Sequence, residues 1–192
     1  MVNNSEVTEQ NGPIVTLNQE KAYDKIHHDY LIKILENYNP LESFTQIIKS
    51  LYENAETVVI INGVISPPFK VSRGICQGDP LLCLLFNIAI GLLANMLCQT
   101  NTLNVSKIPG VDECLIVTLF ANDTTVYLRQ NDNIGKLFKI LNRWCIASGA
   151  KFNIKKTVVL PISTLTYRQG VITNQKSMHS TTYIETNIHI AT

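Results

Sequence analysis

The sequence has no excess of either charge. Lys and Arg total 16 and Asp and Glu total 15, for a formal net charge of +1. On whole-chain arithmetic that balance excludes an overtly basic nucleic-acid binder, and equally an acidic tail protein. Charge of any kind is scarce, at 16% of residues, where average proteins carry about 25%. The surface is therefore poor in charge, or part of it is meant to be covered. Closely spaced cysteines are also missing. Cys76, Cys83, Cys98, Cys114 and Cys145 are odd in number and far apart, with no CxxC. This argues against a structural zinc site and against a disulfide framework, and for buried free thiols in a reducing compartment. The opening MVNNSEVTEQ has neither the basic nor the apolar region of a secretory signal, so an intracellular location, cytoplasmic or nuclear, is expected. The longest apolar run, residues 81–97, contains Asn87, Gly91 and Asn95 and lacks basic flanks. It reads as a buried core helix with no membrane partner.

What is present is enough apolar residue, 45% of 192, to build a core and to exclude wholesale disorder. Residues 1–12 are polar and read as a disordered lead-in, 13–162 as one domain, and 163–192 as a polar, weakly ordered tail. Within the domain, PIVTL at 13–17 reads as a buried strand. A helix is expected from Asp29, as N-cap, to Asn37, and a second after Pro40 with Leu41, Phe44, Ile47, Ile48 and Leu51 on one face. ETVVII at 56–61 reads as a strand, Asn62-Gly63 as a hairpin turn, and the return strand is broken by Pro67-Pro68. Pro80 is expected at the first position of the apolar helix. Runs at 115–120 and 124–128 read as a hairpin with Ala121-Asn122-Asp123 at its tip. A helix follows over 133–148, with Leu137, Ile140, Leu141 and Trp144 inward and Gly149 just past its end, then a strand ending near 162. His27-His28-Asp29 reads as a solvated helix start rather than a metal site, because adjacent residues point apart.

Four polar blocks punctuate these elements. They are Asn18-Gln19-Glu20-Lys21-Ala22-Tyr23-Asp24, Arg73 through Asn87, Phe120-Ala121-Asn122-Asp123, and Ser148 through Thr157. In this order and spacing they resemble the reverse transcriptase palm of non-LTR (LINE-type) retrotransposons. That family writes the blocks as D-Q-E-K-A-[FY]-D, R-G-x-x-Q-G-x-P-L-S-P-L-L-F-N, [FY]-A-D-D and S-G-x-x-x-N-x-x-K-T. The resemblance covers roughly 13–160 and includes Leu51-Tyr52 and Asn62-Gly63. It implies an α+β fold, an antiparallel palm sheet with helices packed on one face, with incomplete fingers and no thumb. It also implies RNA-directed DNA polymerisation from an RNA template, a DNA primer and dNTPs. The remaining fingers and thumb segments of a longer polyprotein are then partners too.

The chemistry that the resemblance implies is two-metal phosphoryl transfer with Mg²⁺ or Mn²⁺, the ions about 3.5–4 Å apart. Such hard cations want anionic oxygen. The family's ligands are the first Asp of the first block and the Asp pair of the third. Here those positions read Asn18, Asn122 and Asp123, with Leu82 and Cys83 also replacing a Ser-Pro in the second block. Asp123 is the remaining metal ligand and catalytic carboxylate, with Asn18 and Asn122 at degenerate ligand positions. Removing one well-placed electrostatic group typically costs about 10²–10³ in rate, so two losses predict severe impairment. Rescue by Glu20 requires the strand to continue that far, and rescue by Asp24 requires a sharp turn. Tyr23 matches the aromatic that excludes a ribose 2′-hydroxyl, or is a core aromatic. Gln77 and Gly78 match the loop against nucleotide and template, or form a turn. Arg73 contacts phosphate or only solvent, and Lys156 lies near the leaving triphosphate or is a surface lysine. From Lys136 to Lys156 six basic residues occur with no acidic one. Lys136, Lys139, Arg143, Lys151 and Lys155 are thus candidate phosphate contacts, or a solvated face. The competing readings are a non-catalytic nucleic-acid-binding remnant and a pseudogene-like product.

Overall fold

The computed structural model describes residues 11–38, 41–75, 78, 80–104, 106–107, 114–162, 164–169 and 182–183. It divides into two compact units. The first gathers Met1–Glu20, Ala94–Asn142 and Phe152–Thr192, and the second Lys21–Leu93 and Arg143–Lys151.

The first unit holds a sheet. Strand β1 (Gly12–Asn18) runs antiparallel between β9 (Asp123–Tyr127) and β10 (Val158–Ile162). Strand β8 (Val117–Phe120) closes one edge antiparallel to β9, and β11 (Thr182–Tyr183) adds to β10 in parallel. Alternation explains the fit. Val15 and Leu17 on β1, Val126 on β9 and Val159 on β10 are all but fully buried, and neighbouring positions point to the opposite face. The central position demands a close approach at Gly12, where a Cβ would collide with the Leu128 carbonyl. Two short strands, β6 (Ser106–Lys107) and β7 (Cys114–Leu115), pair separately. Helix α5 (Ile134–Ser148) starts on Asn133, whose side-chain oxygen accepts from the Gly135 amide at 2.7 Å, an N-cap bond. Leu137, Leu141 and Trp144 are buried as the spacing predicts, and Ile140 is half-buried.

The second unit holds helices α1 (Ala22–Lys25), α2 (His28–Tyr38) and α3 (Glu42–Tyr52). It also includes most of α4 (Leu82–Cys98) and the last turns of α5. Helix α4 is the expected core helix, burying Leu85, Phe86, Ala89, Ile90 and Leu93 here. Among the described residues no helix is long and apolar enough to cross a membrane. A buried relay ties three elements. Trp144 Nε1 donates to the Tyr30 hydroxyl at 2.7 Å, which donates to the Ala89 carbonyl at 2.9 Å. Between α3 and α4 a ribbon returns on itself. Strands β2 (Glu56–Thr57) and β5 (Phe69–Lys70) pair at its base, and β3 (Ile60–Ile61) and β4 (Val64–Ile65) at its tip. Asn62 and Gly63 turn with φ of 52° and 81°, as a type I′ turn requires.

Several expectations are corrected. Strand β1 starts at Gly12, one residue early. Helix α2 starts at His28, so Asp29 lies in its first turn rather than at the cap. His28 is not solvated; it is buried, its Nε2 donates to the Gly74 carbonyl at 2.8 Å, and its ring meets Tyr52 edge-on. Helix α3 turns Thr45, Ile48 and Tyr52 inward and leaves Leu41, Ile47 and Leu51 exposed. Ile48 stays inward as expected, but Tyr52, whose ring packs on His28, takes the inward place expected for Leu51. The Leu85 amide bonds the Leu81 carbonyl, so Pro80 precedes the cap and is not the first helical residue. Asp123 belongs to strand β9 instead of the hairpin tip. Residues 1–10, and the expected tail other than 164–169 and 182–183, lie outside the described residues.

Candidate active site

The sheet register assembles the first and third blocks. Asn18 ends β1 directly opposite Asp123, the first residue of β9. The two-residue tip Ala121-Asn122 joins Phe120 to Asp123, with Ala121 in the left-handed region at φ 49°. Beyond the last pair the clasp continues, as the Gln19 amide donates to the Asn122 carbonyl at 2.9 Å. Asn18 and Asp123 meet through their side chains. Asn18 Nδ2 donates to Asp123 Oδ1 at 2.7 Å, a charge-assisted bond. The amide nitrogen is assigned to this position because a carboxylate can only accept.

The fourth block joins on the other side of β1. The Asn153 amide donates to the Asn18 carbonyl at 2.7 Å. The Asn153 side chain accepts from the Lys156 amide at 3.3 Å, capping a short 3₁₀ turn over Ile154–Lys156. Asn18, Asn122, Asp123 and the turn bearing Lys156 are therefore one cluster of the first unit, with Lys156 exposed.

The ligand chemistry of this cluster can be read from its donor set. One carboxylate and two carboxamides carry a single negative charge, and one amide spends its N–H on that carboxylate. Among the described residues no three His, Cys, Asp or Glu gather where they could hold a metal ion. The arrangement does not fit a pair of divalent cations, which need converging anionic oxygens. Glu20 offers no repair along the strand, since the extended chain gives way to a turn at Glu20.

The second unit carries the other matched positions. Tyr23 lies in α1, half-buried, its ring 4.7 Å from that of Phe86. The second block is stitched to the segment that follows Tyr23. The Ile75 amide donates to the Tyr23 carbonyl and the Gly74 amide to the Ile26 carbonyl, each at 2.8 Å, while Arg73 bridges to His27. Gly74, at φ 94°, passes so close to Asp24 that a Cβ would lie 3.2 Å from its carbonyl. Arg73 and Gly78 are exposed, Gly78 at φ 96°. Gln77 lies outside the described residues. Ser148 and Gly149 are held in the same unit. The His27 amide donates to the Ser148 carbonyl at 2.9 Å, and a Cβ on Gly149 would collide with the His27 ring and the Lys25 carbonyl.

On α5, Lys136, Lys139 and Arg143 are exposed and share one face by helical spacing. Lys151 and Lys155 are exposed beyond it. Sequence reasoning missed Gln19 and Thr124. Both are buried, and the Gln19 amide atoms and the Thr124 hydroxyl have no hydrogen-bond partner among the described residues. The period-two pattern that buries Leu17 also buries Gln19, and it could have flagged both.

A strand end facing a hairpin that carries Asp123, braced by a lysine-bearing turn and set in an antiparallel sheet with helices, defines a polymerase palm. Comparison with known proteins is specific about which kind. The sequence profile of the family "Reverse transcriptase (RNA-dependent DNA polymerase)" matches residues 2–183. The Transposon TX1 uncharacterized 149 kDa protein of Xenopus laevis is 30% identical over 143 residues, which is 74% of this chain and 11% of that protein. The Pol polyprotein of the type-2 retrotransposable element R2DM of Drosophila melanogaster is 32% identical over 44% of this chain and 8% of its own length. In structure, telomerase of Candida tropicalis, solved with a fragment of telomeric RNA, superimposes with a TM-score of 0.58 at 15% identity, covering 79% of this chain and 26% of that one. The chain belongs to the reverse transcriptase family and is a reverse transcriptase domain of the non-LTR retrotransposon kind. It spans about a tenth of the length of the first two relatives.

Proposed function

We propose that this chain is the palm segment of a non-LTR reverse transcriptase whose inherited reaction is RNA-directed DNA polymerisation, and that nucleotidyl transfer is severely impaired in it. The observation that carries this reading is the Asn18–Asp123 hydrogen bond, which stands where the family has two carboxylates. Mg²⁺ or Mn²⁺ would supply the charge that draws the primer hydroxyl toward the nucleotide phosphate. Of the three carboxylates that this needs, only Asp123 is left at the ligand positions. Tyr23, Arg73, Gln77 and Gly78 are assigned to the nucleotide and template, and Lys156 to the triphosphate, by their match to the family blocks.

Primer extension on an RNA template tests the reading. The chain should extend at a rate at least a hundredfold below that of Asn18→Asp with Asn122→Asp, in line with the roughly 10²–10³ lost with one electrostatic group. Measurable extension at equal rates by the two proteins would refute the impairment, whereas no extension by either would make the missing fingers and thumb segments the greater defect. A second reading, a binding module without catalysis, is favoured by the exposed Lys136, Lys139 and Arg143 on one face of α5. It predicts binding to an RNA–DNA duplex whose affinity falls steeply with salt, and it fails if alanine at these three positions leaves that salt slope unchanged.

A further inference from the structure

His27 belongs to none of the four blocks, yet the second unit sets it directly opposite Arg73 in an antiparallel bridge. The His28 amide donates to the Ser72 carbonyl at 3.0 Å, and the Gly74 amide to the Ile26 carbonyl at 2.8 Å. These bonds frame His27 and Arg73 without joining them. In a pair of that kind the Cα atoms approach to about 4.5 Å and the side chains share one face. Alternation decides which face. Ile26 and His28 are buried while His27 and Arg73 are exposed, so the pair points outward.

A third segment fixes the imidazole. The His27 amide donates to the Ser148 carbonyl at 2.9 Å, on the side away from Arg73. The ring lies where a Cβ on Gly149 would stand. Gly149, at φ 77°, therefore makes room for it. Backbone bonds on both flanks and a ring seated on glycine leave His27 with little freedom to lose on binding. Lys151 is exposed two residues further on. Asp24 and Asp29 are near in the chain, but neither His27 nor Arg73 forms an ion pair among the described residues. The donors select the ligand. Arg73 offers a planar fork of N–H groups and His27 one further N–H. The fork alone occupies both oxygens of a carboxylate, whereas a phosphate keeps an oxygen for a third donor.

We propose that His27 and Arg73 hold one phosphate between them, of a nucleoside triphosphate or of a nucleic-acid backbone. This rests on the reverse transcriptase reading only for the choice of phosphate compounds. Binding is measured on the full chain without divalent cation, by equilibrium dialysis with dTTP and by fluorescence anisotropy with a labelled RNA–DNA duplex. His27→Ala and Arg73→Ala should each weaken binding of the same probe about tenfold, the scale of one hydrogen bond to a charged group. The double variant should lose clearly less than the product of the two, because both donors act on one phosphate. His27→Gln, which keeps an N–H donor, should recover part of the loss. The probe that responds identifies the source of the phosphate. Emission of the one tryptophan, buried Trp144, should be unchanged in every variant and so reports that they are folded. Wild type that binds neither probe, His27→Ala that binds both as wild type does, or losses that simply multiply would each overturn the proposal. A silent His27→Ala would leave the palm assignment standing, and equal extension rates in the test of impairment would leave this pair standing.

Discussion

Asn18→Asp should destabilise this chain in the absence of divalent cations. The substitution removes the 2.7 Å donation from Asn18 to Asp123 and sets a second carboxylate in its place. A hydrogen bond to a charged group is worth about 1.5–3 kcal/mol, and the lower end applies because Asp123 is exposed. Two like charges about 4 Å apart repel by about 1 kcal/mol where water screens them. Together these give about 2–3 kcal/mol. For a chain of this size that is a fall of very roughly 4–12 °C in melting temperature. The assay is a pair of thermal melts, wild type and variant, with and without Mn²⁺. Manganese should restore much of the loss in the variant, because a cation converts the repulsion into coordination, and should leave the wild type where it was. A variant as stable as the wild type without metal would refute the assignment of the amide to Asp123.

Four other outcomes follow from the packing. Tyr30→Phe takes the shared hydroxyl from Trp144 and Ala89 and should cost about 1–3 kcal/mol in a urea titration. Gly149→Ala forces an alanine to a φ of 77° and into the His27 ring. It should cost about 2 kcal/mol or more, read from the same titration. Gln19→Met, which replaces buried amide atoms that have no partner, should raise stability by about 1 kcal/mol. Alkaline stability has a definite sign. Burial is the main cause that pushes the Tyr30 phenol well above its usual value, partly offset by the Trp144 donor, and burial pushes Tyr167 up to about 12. The folded chain therefore holds protons that the unfolded chain releases near pH 10. Stability should be intact below about pH 10 and fall as pH rises from there toward 12, with a smaller fall in Tyr30→Phe; no decline over that window would contradict the burial of both phenols.

The blocks were legible because their chemistry is local. Asn18, Asp123 and the Ser148-Gly149 turn stand at ends of elements, where punctuation is strong, and the sheet brings Asn18 opposite Asp123 as those ends imply. Asn62-Gly63 declared its turn for the same reason. What failed was anything decided by long-range burial. Helix α3 has apolar residues around much of its circumference, so spacing alone could not choose Thr45 and Tyr52 over Leu41 and Leu51 as the inward face. His28 looked solvated beside two polar neighbours, yet it is buried, and the Gly74 carbonyl, distant in sequence, accepts from its Nε2. The ribbon's β-branched runs form strands, interrupted at Val58-Val59, but their exposure has no signature in the sequence. The neutral total charge also proved uninformative, because Lys136, Lys139 and Arg143 gather on one helix face while the acidic residues lie elsewhere.

Manganese binding followed by electron paramagnetic resonance tests the central claim most directly, since it needs neither template nor primer. The chain should leave the free Mn²⁺ signal unchanged. Asn18→Asp with Asn122→Asp should quench it in proportion to protein, and adding Asp123→Asn to that pair should bring the signal back. Stoichiometric binding by the unaltered chain, lost on Asp123→Asn, would contradict the account by showing that one carboxylate and two carboxamides still hold the cation.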